Sequence, residues 1–144
     1  MRCVSQVKTI HEHTEIEVPM PVKNVVTWFD IPTADFDRAI KFYSDIMGEQ
    51  VQVGEFMGQT LGVFKTDNRE SVTGDIVPPG PNHKPSPDGT RIYLCCEGKL
   101  DQVISRVETA GGMVLHPRFA IGEAGWIAVI RDSEGNTVGL HSHS

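Results

Sequence analysis

Val25-Val26-Thr27-Trp28-Phe29-Asp30-Ile31-Pro32-Thr33-Ala34-Asp35-Phe36-Asp37-Arg38-Ala39-Ile40-Lys41-Phe42-Tyr43-Ser44-Asp45-Ile46-Met47-Gly48 is the stretch whose reading decides the fold. Its opening, rich in β-branched and aromatic residues and closed by Pro32, reads as a strand. Asp35 is placed to cap a helix, because its carboxylate can accept from the exposed N–H groups of the first turn. Phe36, Ala39, Ile40, Tyr43, Ile46 and Met47 recur at helical spacing, so one face is apolar and must be buried. Gly48 ends the helix, where a left-handed residue is wanted. Extended segments follow from Val51, through a turn at Gly58-Gln59-Thr60 into residues 61–64, and again over 72–77.

The same order returns downstream. Residues 91–96 read as a strand, and Leu100, Val103, Ile104, Val107 and Ala110 repeat the apolar helical face, ending at Gly111-Gly112. A further strand starts at Met113, and a turn lies near residues 122–125. Residues 126–130 form a strand, Asp132-Ser133-Glu134-Gly135-Asn136 a tight turn, and residues 137–141 the last strand. The offset between the copies is about 64 residues, laying Gly48 on Gly111 or Gly112 and Asp67 on Asp132. This gives an α+β chain of two βαβββ modules, eight strands and two helices, at residues 24–77 and 91–144. Five prolines in residues 78–90 keep that segment out of a central sheet and make it the linker. Residues 1–23 carry no clean period and form an N-terminal arm, either extended or an extra strand. His11 and His13 would share a strand face there, but without a third ligand the arm is expected to be solvated rather than metal-binding.

A chain of 144 residues suits one compact domain or two small modules sharing a core. Hydrophobic content of 39% and charged content of 22% are ordinary for a globular protein. A net charge of −6 argues against nucleic acid, whose phosphates demand a basic face. No apolar run reaches the length of a membrane span, and residues 1–8 lack the apolar segment of a signal peptide. Of the three cysteines, Cys95 and Cys96 are neighbours whose side chains point to opposite strand faces, so reduced thiols and a cytoplasmic location are expected.

Two motifs carry a resemblance. Phe29-Asp30-Ile31-Pro32 with Asp35, Arg38-Ala39 and Phe42-Tyr43 in the first module resembles the glyoxalase/bleomycin-resistance/dioxygenase superfamily, also called vicinal oxygen chelate proteins. Ala110-Gly111-Gly112, then Gly125-Trp126 and Asp132-Ser133-Glu134-Gly135-Asn136 with Gly139-Leu140, resembles the second-module signature of that superfamily. Together they span residues 24–142. The resemblance implies paired modules forming an eight-stranded, partly open barrel around a U-shaped ligand cleft. It also implies four pseudo-equivalent metal-ligand places, on the first and last strand of each module. They fall at Trp28, close to Gly74, at Ile92 to within one residue, and at Gly139. None of these is a typical ligand, so no metal and no other cofactor is expected.

In such a cleft Trp28 and Asp30 share one strand face, and Thr137, Gly139 and His141 line it from the other module. Trp126 is a further candidate whose facing the sequence leaves open. Trp28 could instead plug the core. Glycine at 74 and 139 would leave room where a ligand normally stands. The ligand-binding set is therefore Trp28, Asp30, Trp126, Thr137, Gly139 and His141, and the candidate catalytic residues are Asp30 and His141. Two functions stay open. One is a metal-free binding protein for a small organic ligand, resembling bleomycin-resistance members. The other is a glyoxalase I-like lyase or isomerase, or a dioxygenase. Such an enzyme would use an Asp30/His141 acid–base pair or a relocated metal at His141, His143 and His116. Asp35 and Arg38 read as structural, a cap and a partner for a nearby carboxylate. The expected partners are a small molecule and a second copy of the chain, with no membrane or nucleic acid.

Overall fold

The computed structural model describes residues 5–10 and 14–144, so the His11 and His13 pair lies outside the described residues. In the arm, β1 (Ser5–Ile10) and β2 (Thr14–Pro19) pair antiparallel as a two-stranded sheet of their own. The first module then runs β3 (Asp30–Pro32), α1 (Phe36–Met47), β4 (Gln52–Phe56), β5 (Gln59–Val63) and β6 (Asp75–Val77). The second runs β7 (Tyr93–Cys95), α2 (Leu100–Val107), β8 (Met113–Ala120), β9 (Trp126–Arg131) and β10 (Thr137–Ser142). Each module is a four-stranded sheet, ordered β3-β6-β5-β4 and β7-β10-β9-β8, with its first strand parallel to its last. Among the described residues no ladder joins the two sheets, so they stand as two four-stranded sheets rather than one closed barrel.

The expected helix signals operate as read. Asp35 is extended and its carboxylate accepts from Arg38 N at 3.0 Å, while Gly48 closes α1 at φ 71°. The first strand is shorter than its composition suggests. Residues 25–28 are mostly exposed and carry no ladder, because β3 pairs with β6 only from Asp30 onward. The linker holds no strand, only an isolated bridge between Gly80 and His83. Among the described residues no helix is long and apolar enough to cross a membrane.

A single apolar core serves both modules. Ile40, Phe42, Tyr43 and Ile46 of α1 pack with Leu100, Val103 and Val107 of α2, and with Ile76, Ala128, Ile130, Val138 and Leu140 from the sheets. Cys96 lies within it and Cys95 outside, as alternation requires.

The turn between β9 and β10 anchors the second module to the first. Asp132 Oδ1 accepts from the amides of Glu134 and Asn136, both at 2.8 Å, which shapes the turn. Asp132 Oδ2 accepts from the Tyr43 hydroxyl at 2.6 Å and from Asn136 Nδ2 at 2.9 Å, and Asn136 Nδ2 also donates to the Pro32 carbonyl at 2.9 Å. Glu134 sits at the start of α1. Its Oε1 accepts from the amides of Ala34 (3.0 Å) and Asp35 (2.7 Å), and its Oε2 from Arg38 Nε (2.8 Å). Burial alone would raise the Glu134 carboxyl. Arg38 and the two amides more than offset it and hold the carboxyl below its usual range. The Tyr43 hydroxyl moves well above its ordinary value, chiefly through burial and then through Asp132.

Replacing Tyr43 by Phe leaves Asp132 buried and short of a donor. Urea unfolding should show a loss of about 1–3 kcal/mol. Arg38→Ala, which removes a guanidinium half in solvent, should cost less. Equal losses would show that the turn is not held by its buried tyrosine.

Candidate functional site

The two modules meet beside their first strands, and matching backbone hydrogen bonds fix how they correspond. Asp75 N donates to the Phe29 carbonyl at 2.9 Å, and Gly139 N donates to the Ile92 carbonyl at 2.8 Å. Phe29 therefore corresponds to Ile92, Asp75 to Gly139, and Trp28 to Arg91. The residue matching Gly139 is Asp75, one position beyond Gly74.

That single step puts a carboxyl into the site. Ile31 and Ile76 point into the core, so Asp30 and Asp75, paired across the β3–β6 ladder, point to the opposite face. Asp75 is only 2% exposed, and its Oδ1 has no hydrogen-bond partner among the described residues. Burial pushes its carboxyl up to about 7. The neighbouring Asp30 carboxyl raises it further through a hydrogen bond and charge, while the Trp28 indole pulls the other way. Trp28 itself is 45% exposed, so it does not plug the core.

The structure gives the other predicted residues different surroundings. His141 Nε2 contacts the Ala124 carbonyl at 2.7 Å, whereas Asp30 lies opposite Asp75 across the β3–β6 ladder. His143 bonds Glu97 and His116 stacks on Phe119 at 4.1 Å. His141 and His143 stand with ring centroids 4.7 Å apart while His116 lies against Phe119, and among the described residues no three His, Cys, Asp or Glu side chains form a metal-holding group. Trp126 packs against the core with the Arg118 guanidinium 4.3 Å over its ring, and pairs with Ser142 across the β9–β10 ladder. Gly139 is not an open space either, because a Cβ there would strike the Tyr93 ring. At Gly74 it would strike Phe29. Both glycines admit an aromatic ring rather than a ligand.

Asp30 and Thr137 do come together, lining a cavity of about 340 Å³ beneath the linker, where the Thr137 hydroxyl donates to the Pro87 carbonyl at 2.7 Å. A larger cavity of about 570 Å³ opens between the modules. Its walls include Val26, Phe29, Val51, Phe64, Ile92 and Tyr93. Phe29 and Phe64 lie with ring centroids 5.9 Å apart, and Tyr93 is 48% exposed. None of the six predicted ligand-binding residues lines this cavity. Alternation places Trp28 and Asp30 on one strand face with Val26, and of these only Val26 lines this cavity. Only the gap between the modules makes Phe29 and Phe64 a wall.

The sequence pattern of the Glyoxalase/Bleomycin resistance protein/Dioxygenase superfamily matches residues 25–140. The chain belongs to this superfamily. It is 35% identical over 120 residues to CFP32, provisionally named a glyoxylase, of Mycobacterium tuberculosis and of Mycobacterium bovis. That match covers 78% of this chain but 43% of the relatives, so the chain spans less than half their length. Among solved structures it resembles a glyoxalase/bleomycin resistance protein from Albidiferax ferrireducens T118, with TM-score 0.67, 14% identity, and coverage of 84% and 100% of the two chains. It also resembles a lactoylglutathione lyase from Agrobacterium tumefaciens, with TM-score 0.56, 20% identity, and coverage of 85% and 96%. At these identities the likeness shows the superfamily fold alone.

By this correspondence the four ligand places that the resemblance implies fall at Trp28, Asp75, Arg91 and Gly139. An indole, a guanidinium and a hydrogen offer no lone pair to a divalent cation, and one carboxyl is not a coordination sphere. The donor set does not fit the metal of the superfamily.

Asp75 should also print a pH dependence. Its folded-state value of about 7 lies above the ordinary 3.8, so folding takes up a proton between the two. The stability from this group is complete below about pH 4, declines as pH rises, and is lost above about pH 7. Asp75→Asn should flatten melting temperature against pH between 5 and 8.5. An unchanged slope would show that the carboxyl titrates normally.

Proposed function

We propose that this superfamily member binds a small organic ligand in the cavity between its modules, without the metal its relatives' fold commonly carries. The observation behind this is the cavity of about 570 Å³ with Phe29, Phe64 and Tyr93 in its wall. Its size falls in the range that encloses small ligands, and its lining is mainly apolar. In this reading the two sheets flank a partly open, U-shaped cleft. A second copy of the chain pairs with the first and covers apolar residues left in solvent, such as Val25, Phe56 and Met57. Sedimentation at micromolar concentration should show the dimer, and a monomer alone would remove that part.

Val26 lines the cavity and is partly exposed, so Val26→Trp offers a plug that need not disturb the core. Small aromatic fragments should shift the ring resonances of Phe29, Phe64 and Tyr93 saturably in the parent and not in Val26→Trp. Fragments that shift only signals around Trp126, or that bind both proteins alike, would place the ligand elsewhere.

The metal-free part has its own measurement. Protein purified without a tag should contain far less than one equivalent of Zn, Ni, Mn or Fe. Added metal should leave the melting temperature unchanged, since only a ligand of the folded state stabilises by mass action. One tightly bound equivalent would overturn it.

A further inference from the structure

The cavity between the modules has a local charge opposite to that of the chain. The protein carries a net charge of −6. Yet the charged groups around this cavity are Lys65, Arg91 and Lys99 against the single carboxylate of Glu49. Lys65 Nζ lies 3.4 Å from Glu49 Oε1, so those two charges offset one another. Lys99 Nζ donates to the Met47 carbonyl at 3.1 Å, a contact with a neutral group that positions the ammonium without neutralising it. Arg91 makes no side-chain hydrogen bond or ion pair among the described residues, so its guanidinium fork is open to an acceptor.

Resting on the reading that this cavity binds a small molecule, we infer that its ligand is a small aromatic organic anion. Its oxyanion head is held by Arg91 and Lys99 and its body lies against Phe29, Phe64 and Tyr93. Three physical considerations lead there. An organic amine would meet two uncompensated positive charges of its own sign. A neutral ligand would leave both positive charges uncompensated. An anion gives each a charge-assisted hydrogen bond, which apolar walls strengthen by lowering the local dielectric. A guanidinium can hold a carboxylate through two parallel N–H bonds, and it can hold a phosphate monoester in the same way. The shared chemistry is the oxyanion, and the choice between the two heads is one of measurement.

The experiment is an NMR titration of the full chain with four matched probes: phenylacetate, phenyl phosphate, neutral 2-phenylacetamide and phenethylammonium. The ring resonances of Phe64 and Tyr93 report occupancy of the cavity. At least one anion should bind about tenfold more tightly than the amide, the scale of one or two charge-assisted bonds. The tighter of the two anions identifies the head. That preference should fall to about threefold or less in Arg91→Gln/Lys99→Gln, and it should weaken in high salt. Thermal melting of the variant confirms that it is folded. If the amide or the ammonium shifts the same rings with equal or greater affinity, the anion inference fails while the cavity reading stands. Persistence of the full anion preference in the double variant also overturns it. If none of the four probes moves these resonances, the cavity reading falls and the inference with it.

Discussion

The carboxylate of Asp132 is the constraint on which the joining of the modules rests. It closes its own turn through two backbone amides and then accepts from the hydroxyl of Tyr43, a residue of the other module that is wholly buried. A buried carboxylate without such donors would be costly to fold around. Its neighbours extend the same logic. Glu134 completes the first turn of α1, and Asn136 reaches the carbonyl that ends β3. The strand, the helix start and the turn are therefore fixed relative to one another by groups that cannot be left unpaired. The linker is tied to the same place, since Ser86 N donates to Asn136 Oδ1 at 3.1 Å.

This anchoring has a consequence for the binding region. With α1 and the β9–β10 turn locked together, Phe29 just before β3 and Ile92 just before β7 line one space along the seam between the modules. Phe29 and Phe64, which also pack against the core, become walls of that space. The modules keep the superfamily's backbone correspondence while the side chains at the matching positions diverge. Trp28 corresponds to Arg91 and Asp75 to Gly139, so one module presents a carboxyl and an indole where the other presents a guanidinium and a bare backbone. The matching positions therefore form an asymmetric surface with separate acidic and basic parts.

The acidic part and the cavity are different in kind. Asp75 is buried with an unpartnered oxygen, and that burial pushes its carboxyl up to about 7. The cationic groups at the cavity are half-buried or exposed and already positioned by neutral contacts or by none. The former bears on stability against pH. The latter bears on what the seam can hold.

Sequence by itself determined the order of elements, the duplication and the superfamily. These depend on local rules that act over a few residues: the Asp35 cap, the left-handed Gly48, the apolar face of α1, and the turn residues of 132–136. Each is a short-range preference that the chain meets wherever it is placed. The identity of the binding region was legible only in part. Asp30 lies on the strand face away from the core, opposite Asp75, whereas Trp28 precedes the ladder. Asp75, however, was hidden by a one-residue ambiguity in a short strand whose register no local signal sets. Arg91, Lys99 and Phe64 gave no pattern, because they share no element and meet only across the seam. Tertiary structure decided those matters. Pairing register and the spacing between two packed modules depend on contacts between residues far apart in the chain, and local composition does not encode them.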